Sequence, residues 1–179
     1  MKLNAIEQML DKKQVKAFKK EIKKWLKPIK KNIKVEMAMS YECVITKPKI
    51  YVDIVRDLKL DNECDILHKE IYQESNYQFM KYLNYYTFAF LHELGHIMTV
   101  KPKDFEDEEN QYYEELEMAI LEHIQEENEV PNLKMTVKYH MNTTLEKLAN
   151  DWAYTFWKNN KDYCKKLENI LIRYSIKSI

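Results

Sequence analysis

The chain has 179 residues, 45% hydrophobic and 12% aromatic, enough for one domain with a buried core. No run of 18 apolar residues and no apolar leader occurs, so neither a transmembrane helix nor a signal peptide is expected. Formal net charge is zero but segregated: residues 1–34 hold 12 Lys against three acidic side chains, a net +9, and residues 103–130 hold one Lys against 12 acidic side chains, a net −11.

In chain order, apolar residues recur at helical spacing from Asn4 to Lys27, through Ile6, Met9, Leu10, Val15, Phe18, Ile22, Trp25 and Leu26, and Pro28 ends the run. This basic amphipathic helix is expected to dock its apolar stripe on the domain rather than on a membrane surface. A basic arm can also bind nucleic acid or pair with the acidic segment of its own chain, but the two charged stretches are expected first as simple solvated faces. Val35–Ile45 and Ile50–Val55 read as strands, joined as a hairpin through Lys47-Pro48-Lys49. A helix is expected over Asp61–Ser75. The aromatic residues Tyr72, Tyr77, Phe79, Tyr82, Tyr85, Tyr86, Phe88 and Phe90 then lead into a further helix over about 79–99, closed by Lys101-Pro102. Residues 104–128 read as an acidic helix with Tyr112, Tyr113, Leu116, Ala119, Ile120, Leu121 and Ile124 as its buried stripe, and His123 exposed or ion-paired among glutamates. After Pro131 an extended piece is expected over Leu133–Tyr139. Thr143 or Thr144 then caps a helix to about Lys158, and a last helix runs from Lys161 to Arg173.

Within the helix over 79–99 stands His92-Glu93-Leu94-Gly95-His96. Residues four apart share a helix face, so two neutral imidazoles can meet one zinc ion. Glu93, one step round, can reach a metal-associated water as general base without being a ligand. The flanking Phe88, Phe90, Leu91, Leu94, Ile97 and Met98 are apolar, as a buried active-site helix requires. Gly95 is the only glycine of the chain. Glycine inside a helix costs about 1 kcal/mol relative to alanine, so its use here points to close packing or a tight metal site. Cys43, Cys64 and Cys164 are odd in number and lack a C-x-x-C pair. They are expected to be reduced, buried, structural thiols of a cytoplasmic protein.

A hydrolytic zinc site needs three protein ligands and one open position. The third-histidine signature is absent, because Thr99 and Pro102 stand where its second glycine and third histidine would be. A later glutamate is therefore expected. The acidic segment offers many; Glu146 is best placed, on a helix whose buried face is Leu145, Ala149, Trp152, Ala153 and Phe156. Asn150, one turn on, can hydrogen-bond a ligand from behind. Tyr139 and His140, just before this helix, are the candidates for an oxyanion donor.

The pair "FAFLHELGHIM" and "LEKLANDWAYTF" resembles the ImmA/IrrE family of zinc metallopeptidases of bacteria and phages, whose pattern is HExxH followed by a helix reading E-x-x-A-N-x-F-A. Here the second motif reads Glu146, Ala149, Asn150, Trp152 and Ala153, with Trp in place of Phe. The resemblance covers the two motif helices and the order of elements, but not the acidic segment 103–130. It implies a gluzincin-type hydrolase: Zn²⁺ held by His92, His96 and Glu146, Glu93 as the catalytic base, and a repressor-like protein as substrate in stress responses or mobile-element control.

The expected fold is α+β: a mainly helical single domain over 1–179, with a small β-hairpin beside the active-site helix. The expected function is zinc-dependent hydrolysis of a peptide bond in a protein substrate. Three rivals are a catalytically silent interaction protein with the same fold, a nucleic-acid-binding module using residues 1–34, and a zinc hydrolase of a non-peptide substrate. Glu93 argues against the first, since a pure binder needs no base there. Salt-dependent binding lost on removal of residues 1–34 would mark the second.

Overall fold

The computed structural model describes residues 11–29, 32–38, 41–53, 55–56 and 83–177. The helix expected over Asp61–Ser75, Cys64, the aromatic residues Tyr72, Tyr77, Phe79 and Tyr82, and the apolar residues Ile6, Met9 and Leu10 lie outside the described residues. What is described is a mainly helical α+β fold, with six α-helices and a small mixed sheet among these residues.

Helix α1 spans Lys12–Leu26. It does not continue unbroken from Asn4, because Asp11 adopts a non-helical conformation and its side chain caps the first turn, accepting from the Lys13 N–H at 3.0 Å. The apolar spacing puts Phe18, Ile22, Trp25 and Leu26 on one buried face, and the lysines on the other. A 3₁₀ turn over Lys27–Ile29 follows, around Pro28.

The expected long strand over Val35–Ile45 is two strands. β1 is Lys34–Ala38 and β2 is Glu42–Val44, and both flank β3, Lys49–Asp53. Only β2 forms the hairpin with β3, pairing Cys43 with Ile50. β1 lies parallel on the opposite edge, Val35 against Ile50 and Met37 against Val52. One unbroken strand would satisfy a single edge of β3; splitting it lets both edges find hydrogen-bond partners. Ile50 and Val52 are accordingly fully buried at the sheet centre. A two-residue strand β4, Val55–Arg56, pairs in parallel with β5, Ile176–Lys177.

Helix α2 spans Tyr85–Thr99; Asn84 caps it by accepting from the Thr87 N–H at 2.8 Å, so the helix begins at residue 85. It is apolar nearly all round and buried from Tyr86 to Leu91 and from Leu94 to Ile97, as expected for a helix at the centre of a core.

Helix α3 spans Phe105–Glu127 and ends at Asn128 in a left-handed conformation. Its expected buried stripe is not buried. No α3 residue is fully covered, Tyr112, Leu116, Ala119 and Ile120 are half-buried, and Tyr113, Leu121 and Ile124 are exposed. The reason is that α3 lies on the surface of the two helices after it, α4 over Leu133–Asn142 and α5 over Thr144–Asn159, with one narrow stripe inward. The piece expected to be extended over Leu133–Tyr139 is this helix α4. Asn132 caps it, accepting from the Met135 N–H at 3.0 Å. That cap outweighs the strand preference of Thr136 and Val137.

Thr143 occupies the N-cap position of α5, but its hydroxyl donates back to the His140 carbonyl. The cap comes from outside: the Glu115 carboxylate of α3 accepts from the Thr144 backbone N–H and, at 2.7 Å, from its hydroxyl. Helix α6, Lys161–Tyr174, packs on α1, where the Trp25 indole N–H donates to the Tyr163 carbonyl at 2.9 Å. The basic and acidic helices thus have different neighbours: α1 packs on α6 and β1, α3 on α4 and α5. No helix among the described residues is long and apolar enough to cross a membrane.

Candidate metal centre

The centre is built where α2 meets α5, and Gly95 makes the meeting possible. A Cβ on Gly95 would stand 2.5 Å from the Ala149 carbonyl oxygen and 2.9 Å from its Cα. The two backbones are in near contact. Gly95 is one residue before His96, and Ala149 is three after Glu146, so the close approach brings the side chains of both helices to one point.

At that point three groups converge. His92 Nε2 is 3.0 Å from one Glu146 oxygen, and His96 Nε2 is 3.4 Å from the other. The two Nε2 atoms are 3.1 Å apart, with the rings nearly perpendicular. All three ligand atoms lie within 4.8 Å of one another, and the group can hold a metal ion. His96 and Glu146 are buried, and Asn150 is fully so.

The tautomer supports this reading. His92 Nδ1 lies 2.9 Å from the Asn150 side-chain oxygen, which only accepts. Nδ1 therefore carries the proton, and a neutral His92 presents its lone pair at Nε2, toward His96 and Glu146. Two nitrogen lone pairs and a carboxylate facing each other repel unless a proton or a cation lies between them. In the metal-free state a proton does this. Burial alone would lower the His92 pKa, but the Glu146 hydrogen bond and charge outweigh it and raise it to about 9. Burial alone would likewise raise that of Glu146. The hydrogen bonds from His92 and His96 prevail and hold its carboxyl well below the usual carboxylate range.

The group lies on the floor of a cleft of about 600 Å³. One wall is Tyr41 and strand β2 with Glu42 and Cys43; the other is α3 with Phe105, Glu109, Tyr112 and Tyr113. Glu93 lines the cleft beside the three ligands. Cys43, expected as a buried structural thiol, is half-buried here and lines the cleft with Glu93. Burial first, then the Glu93 charge, pushes its pKa up, so it stays a neutral thiol. Cys164 is buried in the core, as expected, where burial pushes its pKa up to about 12.

The two candidate oxyanion donors separate. His140 lines the cleft, with Nε2 at 3.5 Å from Glu146 and Nδ1 at 2.9 Å from the Tyr112 hydroxyl. Tyr139 instead faces the His123 ring on α3. His123 is half-buried and stands outside the ligand group. From the sequence Tyr112 is only part of a buried stripe, Cys43 only a structural thiol and Glu115 one acid among many, because each acquires its partner only through tertiary contact. A pair of strands flanking the motif was the only hint that Cys43 would reach the cleft. Neither a protein-family model, a curated protein nor a solved structure matches the chain.

Proposed function

We propose that this chain is a zinc-dependent metallopeptidase of the ImmA/IrrE-like kind, hydrolysing a peptide bond in a protein substrate. The observation that carries the reading is the convergence of His92 Nε2, His96 Nε2 and Glu146 beside Glu93 in an open cleft. Two imidazoles and one carboxylate are the donor set of a hydrolytic zinc site that keeps a position for water. When bound, zinc lowers the pKa of a water molecule and polarises the scissile carbonyl.

The remaining work falls to the protein. Glu93 takes the proton of the attacking water on a carboxylate oxygen and delivers it to the leaving nitrogen. Asn150 holds His92 in the tautomer that directs Nε2 at the centre. The Tyr112 hydroxyl is hydrogen-bonded to His140 Nδ1; in the tautomer where Tyr112 donates, His140 carries its hydrogen on Nε2, which lies in the cleft 3.5 Å from Glu146 and would serve as a donor to the developing oxyanion. Strand β2 pairs with β3 on one side only among the described residues, so its cleft-side edge suits an extended peptide that adds as a strand. The family resemblance makes a repressor-type regulator of bacterial or phage origin the substrate to try first.

Zinc analysis of the purified protein tests this, with His96→Ala, Glu146→Ala and Glu93→Gln alongside. The expected result is near-stoichiometric zinc in wild type and Glu93→Gln, loss of zinc in the two ligand variants, and peptide hydrolysis by wild type alone. Wild-type protein that binds no zinc after exposure to the metal would sink the reading. Zinc retained in Glu146→Ala would move the third ligand elsewhere.

A further inference from the structure

A second groove lies away from the metal centre, between α1 and α6, with a volume of about 700 Å³. Its floor is Trp25, Tyr163 and Ile170, and its rim is Lys20, Lys24 and Lys166. Trp25 and Tyr163 stack with ring centroids 4.6 Å apart, so the floor is flat and rigid. Glu21 also lines the groove, but its carboxylate is held by Arg173 at 3.1 Å and by the Tyr174 hydroxyl at 2.7 Å. The three lysines are exposed. An apolar trough between two helices, edged by cations, is shaped for an acidic amphipathic helix.

The chain carries such a helix. On α3 the residues Glu114, Met118, Leu121 and Glu122 follow the spacing i, i+4, i+7, i+8 and share one face. Met118 is 60% exposed and Leu121 48%, and the flanking Glu114, Glu117 and Glu122 are exposed as well. This face points away from the stripe of Phe105, Glu109 and Tyr112 that lines the metal cleft. Within one chain α3 packs on α4 and α5, not in the groove. With an isoelectric point near 7.0 and no net charge, copies of the chain do not repel one another at neutral pH.

We infer that the groove between α1 and α6 receives the outer face of α3 from a second copy of this chain. The contact is heterologous: each copy offers one groove and one helix, so association builds rows or rings rather than a closed two-fold dimer. A nucleic acid is the other polyanion that three lysines attract. The apolar floor and the matching apolar pair on α3 favour the helix.

Sedimentation of the full chain tests this at low salt and at about 1 M, where the Debye length falls to about 3 Å. At low salt the mass is expected to rise above the 21.8 kDa monomer with concentration, and to return to it at high salt. The Lys20→Glu/Lys24→Glu/Lys166→Glu variant and the Glu114→Lys/Glu117→Lys/Glu122→Lys variant are each expected to remain monomeric. Mixed in equal amounts, they are expected to associate again, because each unaltered surface meets its unaltered mate and the two reversed surfaces are themselves opposite in charge. Lys24→Glu and Glu122→Lys singly repeat the test with less disturbance. Wild type that is monomeric at low salt, or charge-reversed variants that assemble as before, or a mixture that fails to pair, overturns the proposal. So does a monomeric wild type that retards a single- or double-stranded nucleic acid and loses this in the lysine variant; the groove would then belong to nucleic acid.

Discussion

Gly95 and Ala149 stand so close that a single methyl group on Gly95 would reach within 2.5 Å of the Ala149 carbonyl oxygen. The obstacle is backbone on a packed helix, which cannot swing aside as a side chain would. Gly95→Ala gains helix propensity, worth about 1 kcal/mol, but must push α2 and α5 apart. Overpacking of this kind costs about 1–3 kcal/mol. We predict a lower melting temperature together with weaker zinc binding, since the same displacement separates His96 from Glu146. A variant that melts like wild type and holds zinc equally well would refute this.

Asn150 is fully buried behind His92 and fixes its ring through the Nδ1 contact at 2.9 Å. Asn150→Ala removes the acceptor and frees the imidazole to choose the other tautomer. Zinc affinity, measured by competition with a chromogenic chelator, is expected to fall about 10–100-fold. Unchanged affinity would mean that packing alone orients His92.

The metal-free protein carries a pH signature. His92 is raised to about 9, above its ordinary value near 6.5, so its contribution to stability is complete below about pH 6.5 and is lost as the pH climbs through about 9. Glu146 is held low, so its contribution is complete above the ordinary carboxylate range and is lost as the pH falls below that range through the lowered folded value. The melting temperature without metal should therefore decline from about pH 6.5 to about pH 9. Zinc must displace the His92 proton, so apparent zinc affinity should rise over that interval, by about tenfold per unit for one proton released. Zinc affinity that is flat across the interval would show that His92 is already neutral.

Tyr112 touches His140 rather than the ligands. Tyr112→Phe leaves the ring in place and deletes the hydroxyl bonded to His140 Nδ1. We predict normal zinc content, a kcat lower by about 10–100-fold, and a KM changed far less. A rise in KM at constant kcat would assign Tyr112 to substrate binding instead.

How much of this could be read from the sequence differs from residue to residue. His92, Glu93, His96 and Glu146 were legible because ligand spacing on a helix is a local property, and an acid on an otherwise apolar face stands out. The isolated glycine signalled close packing but not its partner. Leu133–Asn142 was misjudged because Thr136 and Val137 favour strands, while the Asn132 cap that decides the matter counts only once the turn has formed. The parallel pairing of β1 escaped because no glycine or proline marks the break after Ala38. The α3 stripe misled because apolar periodicity says which side faces a neighbour, not how completely the neighbour covers it.

One contact bears on how the molecule could be shortened. Residues 103–130 are the stretch that the two motifs do not reach, and the first that an engineer would trim. Yet Glu115 supplies the cap at Thr144, two residues before Glu146. Excising the stretch unhooks the opening turn of α5 and removes one wall of the cleft in the same cut. A trimmed version would therefore need a replacement acceptor at the head of α5 before it could be expected to keep its metal.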